Sequence, residues 1–286
     1  MNVTGKTRVL GIIGWPVGHS LSPLMQNAAL AEMGLDYVYV PFPVREEDLG
    51  SAVRGLRGLG VAGFNVTIPH KTAVIPFLDR LAPEARLIGA VNTVKLEGDE
   101  LVGYNTDGAG FVRSLREDLG FDPAGRSILL LGAGGAARAA LVSLCQAGAA
   151  RIVIANRNVR RGEELAGEFR GRLGGTQIAA ISLGPPFSMA EIQKIDIIVN
   201  TTSVGMGGSA FDGLDLSPLD PGAAVYDMVY TPWETPLLAE ASRRGLRCAN
   251  GIGMLVAQGE CALAIWTGVE PPAGLMRSRI LAALGR

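Results

Sequence analysis

One short segment constrains this chain more than any other: an unbroken apolar run at residues 128–131, then Gly132-Ala133-Gly134-Gly135-Ala136-Ala137, then an apolar stretch of helical length. Glycines at G-x-G-x-x-A spacing gain meaning from that context, a buried strand before them and a helix after, because it is where such a turn binds a dinucleotide. Gly132 allows the tight turn, Gly134 lets a pyrophosphate approach the backbone, and Ala137 allows close packing of helix on strand. Gly135 and Ala136 open the helix, whose first amides have no intrahelical partner and are free for phosphate.

The pattern around this turn extends it into a domain. Residues 128–131, 152–155, 195–199 and 224–228 read as strands, and residues 136–147 and 160–169 as helices, the order of a doubly wound sheet. At the tip of the second such strand an NAD-binding chain carries an acid for the ribose 2′-hydroxyl. Here the tip reads Asn156-Arg157-Asn158-Val159-Arg160-Arg161, with no carboxylate. The planar guanidinium forks of Arg157 and Arg161 suit a 2′-phosphate, which favours NADP over NAD.

Before this domain, residues 9–13, 21–33, 37–42, 46–59 and 64–68 alternate strand with helix, as parallel βαβ units do. Residues 90–96 and 101–105 flank Glu97-Gly98-Asp99 and read as a hairpin, so the first sheet should be mixed. A helix at 110–119 leads to the breaker pair Asp122-Pro123, and two further helices are expected at 253–266 and 272–284. The expected fold is α/β with two domains: a mixed α/β substrate domain at 1–107 and a Rossmann-type NADP domain at 108–250. Helices at 251–286 are expected to return to the first domain.

Composition removes several classes. A chain of 286 residues with 19% charged residues and a formal net charge of −1 has no basic surplus for nucleic acid. No apolar stretch reaches bilayer length, and the first residues show no secretory h-region, so the expectation is a cytoplasmic protein without a membrane partner. Cys145, Cys248 and Cys261 form no C-x-x-C pair, and His19 and His70 lie far apart, so no metal is expected. The expected partner is a small-molecule substrate, and the expected state a monomer or homodimer.

Polar residues gather at element ends of the first domain. In Gly18-His19-Ser20-Leu21-Ser22-Pro23, Ser22 is the expected N-cap and Pro23 the first helical residue. Two hydroxyls converging with free amides on a helix N-terminus favour a carboxylate. Asn65 and Thr67 alternate along a strand that ends at Pro69, just before Lys71. Asn92 and Asp107 flank the hairpin. A Lys71–Asp107 pair, with the carboxylate orienting the ammonium, suits general acid chemistry on a ketone. Residue identity alone allows either proton transfer or charge stabilisation by Lys71.

Taken in order, Ser20-Leu21-Ser22-Pro23, Asn65-Val66-Thr67 with Lys71, Gly89-Ala90-Val91-Asn92-Thr93, Asn105-Thr106-Asp107-Gly108, the glycine turn and Asn156-Arg157 resemble the shikimate dehydrogenase family. Asn200-Thr201-Thr202-Ser203-Val204-Gly205-Met206, Tyr226-Asp227-Met228-Val229-Tyr230-Thr231-Pro232 and the segment from Asn250 to Gln258 extend the likeness over nearly the whole chain. The resemblance implies NADP-dependent, reversible reduction of 3-dehydroshikimate to shikimate, a step of aromatic amino acid biosynthesis. It implies that Ser20, Ser22 and Tyr230 bind the substrate carboxylate, that Asn65, Thr67, Asn92, Asp107 and Gln258 bind ring hydroxyls, and that Lys71 acts beside Asp107. Met228, Gly251 and Met254 would border the nicotinamide, with Asn156, Arg157 and Arg161 at the adenosine phosphate. Two departures stand out: Asn158 where the family pattern has threonine, and Glu260 where a small residue is expected.

Relatives acting on quinate, some with NAD, share nearly all these motifs, and Ser22 and Arg157 lean against that alternative. A non-catalytic NADPH-binding paralogue is disfavoured by the intact Lys71 and Asp107. A glutamyl-tRNA reductase needs an early cysteine nucleophile, and no cysteine precedes Cys145.

Overall fold

The computed structural model describes residues 3–184 and 194–286. The chain forms two compact units, Met1–Gly110 with Leu255–Arg286, and Phe111–Met254.

The first unit opens with β1 (Arg8–Gly14), α1 (Ser22–Glu32), β2 (Tyr37–Pro43), α2 (Leu49–Gly58) and β3 (Gly63–Val66). Next come β4 (Arg80–Leu81), α3 (Pro83–Ile88), β5 (Thr93–Glu97) and β6 (Glu100–Tyr104). These strands make one mixed sheet in the order β2-β1-β3-β5-β6-β4. The first three are parallel, and β5 pairs antiparallel with both β3 and β6. A fully covered parallel strand needs apolar residues on both faces, and β1 is buried from Leu10 onward. Phe64, Val66, Val91, Val94 and Leu101 form part of the core beneath α2, each such burial contributing about 1.5–3 kcal/mol for the larger side chains.

At the sheet edge, Asn27 of α1 does the work of a neighbouring strand. Its Oδ1 accepts the Tyr39 amide at 2.9 Å and its Nδ2 donates to the Tyr39 carbonyl at 2.8 Å, which leaves that stretch of β2 unavailable for edge pairing.

Two expectations need correction. Helix α1 starts at Ser22 itself, with Leu21 in the capping position and Pro23 second; no side chain caps it in the usual way, and instead the Ser20 hydroxyl accepts the Ser22 amide at 3.2 Å. The helix expected at 110–119 begins earlier, as α4 (Asp107–Leu119), because the Asn105 side-chain Oδ1 accepts the amides of Asp107 and Gly108 and so starts the turn sooner.

In the second unit, β7 (Ser127–Leu131), α5 (Gly135–Gln146), β8 (Arg151–Asn156), α6 (Val159–Phe169), β9 (Gln177–Ser182), β10 (Ile197–Asn200) and β11 (Ala224–Asp227) follow one another. The unit is completed by α7 (Pro236–Arg243) and β12 (Arg247–Asn250). All six strands are parallel, in the order β12-β11-β10-β7-β8-β9, the doubly wound order that reverses between β7 and β10. Leu129, Leu131, Val153, Ile198 and Val225 build the core on the α7 side. Sequence periodicity alone does not mark β9, α7 or β12. The first is an edge strand with weak alternation, and the last is the short polar run Arg-Cys-Ala-Asn.

The C-terminal helices are α8 (Ile252–Thr267) and α9 (Leu275–Ala283). From Leu255 onward they belong to the first unit, where Trp266 donates its indole N–H to the Val94 carbonyl at 2.8 Å. Among the described residues no helix is long and apolar enough to cross a membrane.

Candidate active site

Within the first unit the structure brings Lys71, Asp107, Asn65, Asn92 and Gln258 into one hydrogen-bonded cluster at the carboxyl end of β3. Lys71 Nζ lies 2.5 Å from Asp107 Oδ2, with side chains 19% and 6% exposed. The carboxylate is held on its other side too, since Asn92 Nδ2 donates to Oδ1 at 2.8 Å. Asn92 is itself fully engaged: its Nδ2 also stands 2.9 Å from Thr106 Oγ1, while its Oδ1 accepts the Thr106 amide and the Thr93 hydroxyl. The pair is therefore fixed in angle, and the ammonium, the more exposed member, keeps protons for another acceptor.

Gln258 reaches this cluster because helix α4 carries a glycine opposite it. A methyl group at Gly110 would come within 2.7 Å of the Gln258 amide nitrogen, so only a bare backbone lets the two segments approach. Gln258 Oε1 then lies 3.4 Å from Asn92 Nδ2. Thr67 falls one residue past the end of β3; its amide donates to the Ile13 carbonyl and its hydroxyl makes no hydrogen bond among the described residues. Ser20 and Ser22 sit at the start of α1, Ser22 buried and Ser20 half-buried.

The sequence motifs contain Thr93, Asn105 and Thr106 without giving them a role, and Tyr39 lies outside every motif. Tyr39, 1% exposed, donates its hydroxyl to Asn65 Oδ1 at 2.6 Å. The alternation of Tyr37 and Tyr39 along one strand was the available signal. Nothing local showed that the second of them turns toward Asn65.

The second unit supplies a different kind of site. Gly132 has φ +110, a conformation side chains rarely adopt, and a Cβ there would meet Thr201 Oγ1 at 2.7 Å and Thr202 Cγ2 at 2.8 Å. Thr201 in turn bonds the Leu131 carbonyl through both its amide and its hydroxyl. The glycine turn is thus pressed against the loop after β10, at the switch point of the sheet. Helix α5 begins at Gly135 with Gly134 as its cap; no side chain covers the first amides, and a methyl group at Gly134 would meet nothing within 4 Å. Ala137 is fully buried against the sheet.

Asn156 ends β8 and donates to the Asn158 carbonyl, a bond that does not depend on the residue 158 side chain. Arg157 and Arg161 are exposed and make no side-chain bond among the described residues, whereas Arg138 is engaged by Glu168 through both carboxylate oxygens. Free amides, an open glycine and two uncommitted guanidinium groups fit the phosphates of NADP, including the one at the 2′ position.

Met228, Tyr230, Gly251 and Met254 also belong to this unit. A Cβ at Gly251 would collide with the Met228 carbonyl, so these two backbones meet directly. Below them lies buried Asp227, its carboxylate accepting from Asn200 Nδ2 at 2.8 Å, the Val229 amide at 3.0 Å and the Thr235 hydroxyl at 2.7 Å. Burial raises its pKa, and the three hydrogen bonds offset part of that rise. Burial likewise pushes the Tyr230 phenol up. No group of three or more His, Cys, Asp or Glu residues that could hold a metal occurs among the described residues.

A sheet wound in this order, with a glycine turn at its switch point and unpaired arginines beyond its second strand, marks the dinucleotide-dependent oxidoreductases as a class. Comparison with known proteins narrows this. The family model for the shikimate dehydrogenase substrate binding domain matches residues 12–94, that for shikimate / quinate 5-dehydrogenase residues 116–205, and that for the shikimate 5′-dehydrogenase C-terminal domain residues 251–281. A shikimate dehydrogenase (NADP(+)) of Geobacter metallireducens is 74% identical over 286 residues, covering 100% of both chains. Among solved structures, a shikimate dehydrogenase in complex with NADP+ superposes with a TM-score of 0.90 at 40% identity, over 100% of this chain and 98% of that one. A shikimate 5-dehydrogenase from Listeria monocytogenes in complex with shikimate and NAD gives 0.89 at 36% identity, over 98% of each chain. The chain belongs to the shikimate dehydrogenase family.

Proposed function

We propose that this chain is an NADP-dependent shikimate dehydrogenase that reversibly reduces 3-dehydroshikimate to shikimate, a step of aromatic amino acid biosynthesis. The observation that carries the reading is the Lys71–Asp107 pair, held at 2.5 Å inside a closed set of amide and hydroxyl bonds, in a chain similar along its whole length to enzymes of that name. The first unit, with the C-terminal helices, takes the substrate, and the second takes the cofactor.

Ser20, Ser22 and Tyr230 receive the carboxylate. Thr67, Asn65, Asn92, Asp107 and Gln258 face the ring hydroxyls. NADPH, when bound, supplies the hydride. Lys71 gives a proton from Nζ to the substrate oxygen that becomes a hydroxyl, and in the reverse direction takes it back. Asp107 holds that ammonium in place and balances its charge, so the proton donor is oriented before the substrate arrives. In the second unit, the amides after Gly134 take the pyrophosphate, Asn156, Arg157 and Arg161 take the adenosine phosphate, and Met228, Gly251 and Met254 border the nicotinamide. The enzyme works in the cytoplasm as a monomer or homodimer.

Steady-state rates for four pairs, shikimate or quinate with NADP or NAD, test the reading. The expected result is the highest kcat/KM for shikimate with NADP. A higher value for quinate with NAD would transfer the protein to the other branch of its family, and binding of NADPH without turnover of any cyclic hydroxy acid would remove it from catalysis.

A further inference from the structure

Asn65 has two amide protons and both are already spent inside the protein. Its Nδ2 donates to the Asn92 carbonyl and to Thr93 Oγ1, each at 3.0 Å, and Asn65 is 5% exposed. What remains for a ligand is a single lone pair on Oδ1, the other being taken by the Tyr39 hydroxyl at 2.6 Å. The direction of this amide therefore decides whether a substrate hydroxyl meets an acceptor or a donor.

We propose that Tyr39 is a positioning residue for the substrate site: its hydroxyl locks the Asn65 side chain with the oxygen toward the substrate and the nitrogen toward the Asn92 carbonyl and Thr93 Oγ1. This inference rests on the proposed function only for the identity of the substrate. The tyrosine is held from all sides. Asn27 clamps its backbone through both amide and carbonyl, and its ring packs on Trp266 with centroids 6.0 Å apart. Burial pushes the phenol well above its ordinary range. The hydroxyl consequently stays protonated and remains a donor to Asn65.

The test is Tyr39→Phe, which removes one oxygen and keeps the ring. The expected result is a rise of about tenfold in KM for shikimate, with kcat and KM for NADP changed less than about twofold. Independent of any substrate, the two side-chain amide protons of Asn65 in the nitrogen-15 spectrum of the ligand-free wild type should exchange slowly, and in Tyr39→Phe they should exchange faster and shift. Equal rises in KM for shikimate and NADP would overturn the proposal, as would Asn65 signals unchanged by the substitution. Amide protons that exchange at the solvent rate in the wild type would do so even if the variant failed to fold. Wild-type inactivity toward shikimate with an intact Asn65 response would instead sink the proposed function and leave the role of Tyr39 standing.

Discussion

Around Lys71 the polar side chains are bonded to one another before any ligand arrives, whereas around Gly132 the groups suited to a ligand are left open. Asn65, Asn92, Thr93, Thr106 and Asp107 are all buried and mutually paired. Gly134, Arg157 and Arg161 touch nothing that would compete with a phosphate. The difference follows from what each region must recognise. The hydroxyls of a ring are distinguished by direction, so a site for them needs donors and acceptors locked by neighbours. A phosphate carries charge in every direction, and backbone amides with flexible cations meet it without prior locking.

The largest expected effect breaks the locked side. Lys71→Ala should lower kcat by about 10²–10⁴-fold while leaving the substrate dissociation constant within a few-fold, as measured by steady-state kinetics and by calorimetric binding. Unchanged turnover would mean that the paired cluster holds substrate without acting on it.

The open side is tested next. Arg157→Ala should cut the preference for NADP over NAD by about 10- to 100-fold, through KM for NADP alone, because NAD lacks the phosphate that the guanidinium would pair with. A parallel loss with NAD would show that the arginine supports the fold rather than the 2′-phosphate.

A third change probes the turn itself. Gly132→Ala forces a side chain into φ +110 and against Thr201, so denaturant titration should show a loss of about 1–3 kcal/mol, with weaker NADP binding and unaltered shikimate binding. Equal weakening of both ligands would deny that the two regions are independent.

The smallest effect is a slope. Because burial raises the Asp227 pKa, the stability linked to its neutral form is complete below the ordinary aspartate range and is lost as pH rises through the raised value. Asp227→Asn never ionises, so the wild type should lose stability relative to it across that window, read as the difference in Tm between the two at successive pH values. A difference that does not change with pH would indicate that the hydrogen bonds of Asp227, rather than its charge, govern the loop after β11.

The same contrast explains what was legible from residues alone. The glycine turn could be read because a left-handed backbone and a close approach admit only glycine at Gly132, a local demand that leaves its mark in consecutive letters. The parallel strands β1, β7 and β8 were equally plain, since burial on both faces demands unbroken apolar runs. The absence of an acid after β8 was legible for the same reason, as one strand tip carries the whole signal. Asn105 shows the limit: its motif was visible, yet its capping of α4, which draws Asp107 into the first helical turn, was not.

Sequence by itself therefore determined the class of fold, the glycine turn and the identity of the polar residues offered to chemistry. Tertiary structure decided how those residues are spent: that Asn65 and Asn92 give their protons to the protein, that Tyr39 holds the first of them, and that Ser22 lies within its helix rather than at its cap. Hydrogen-bond direction is set by partners from distant parts of the chain, and no neighbouring letter encodes it.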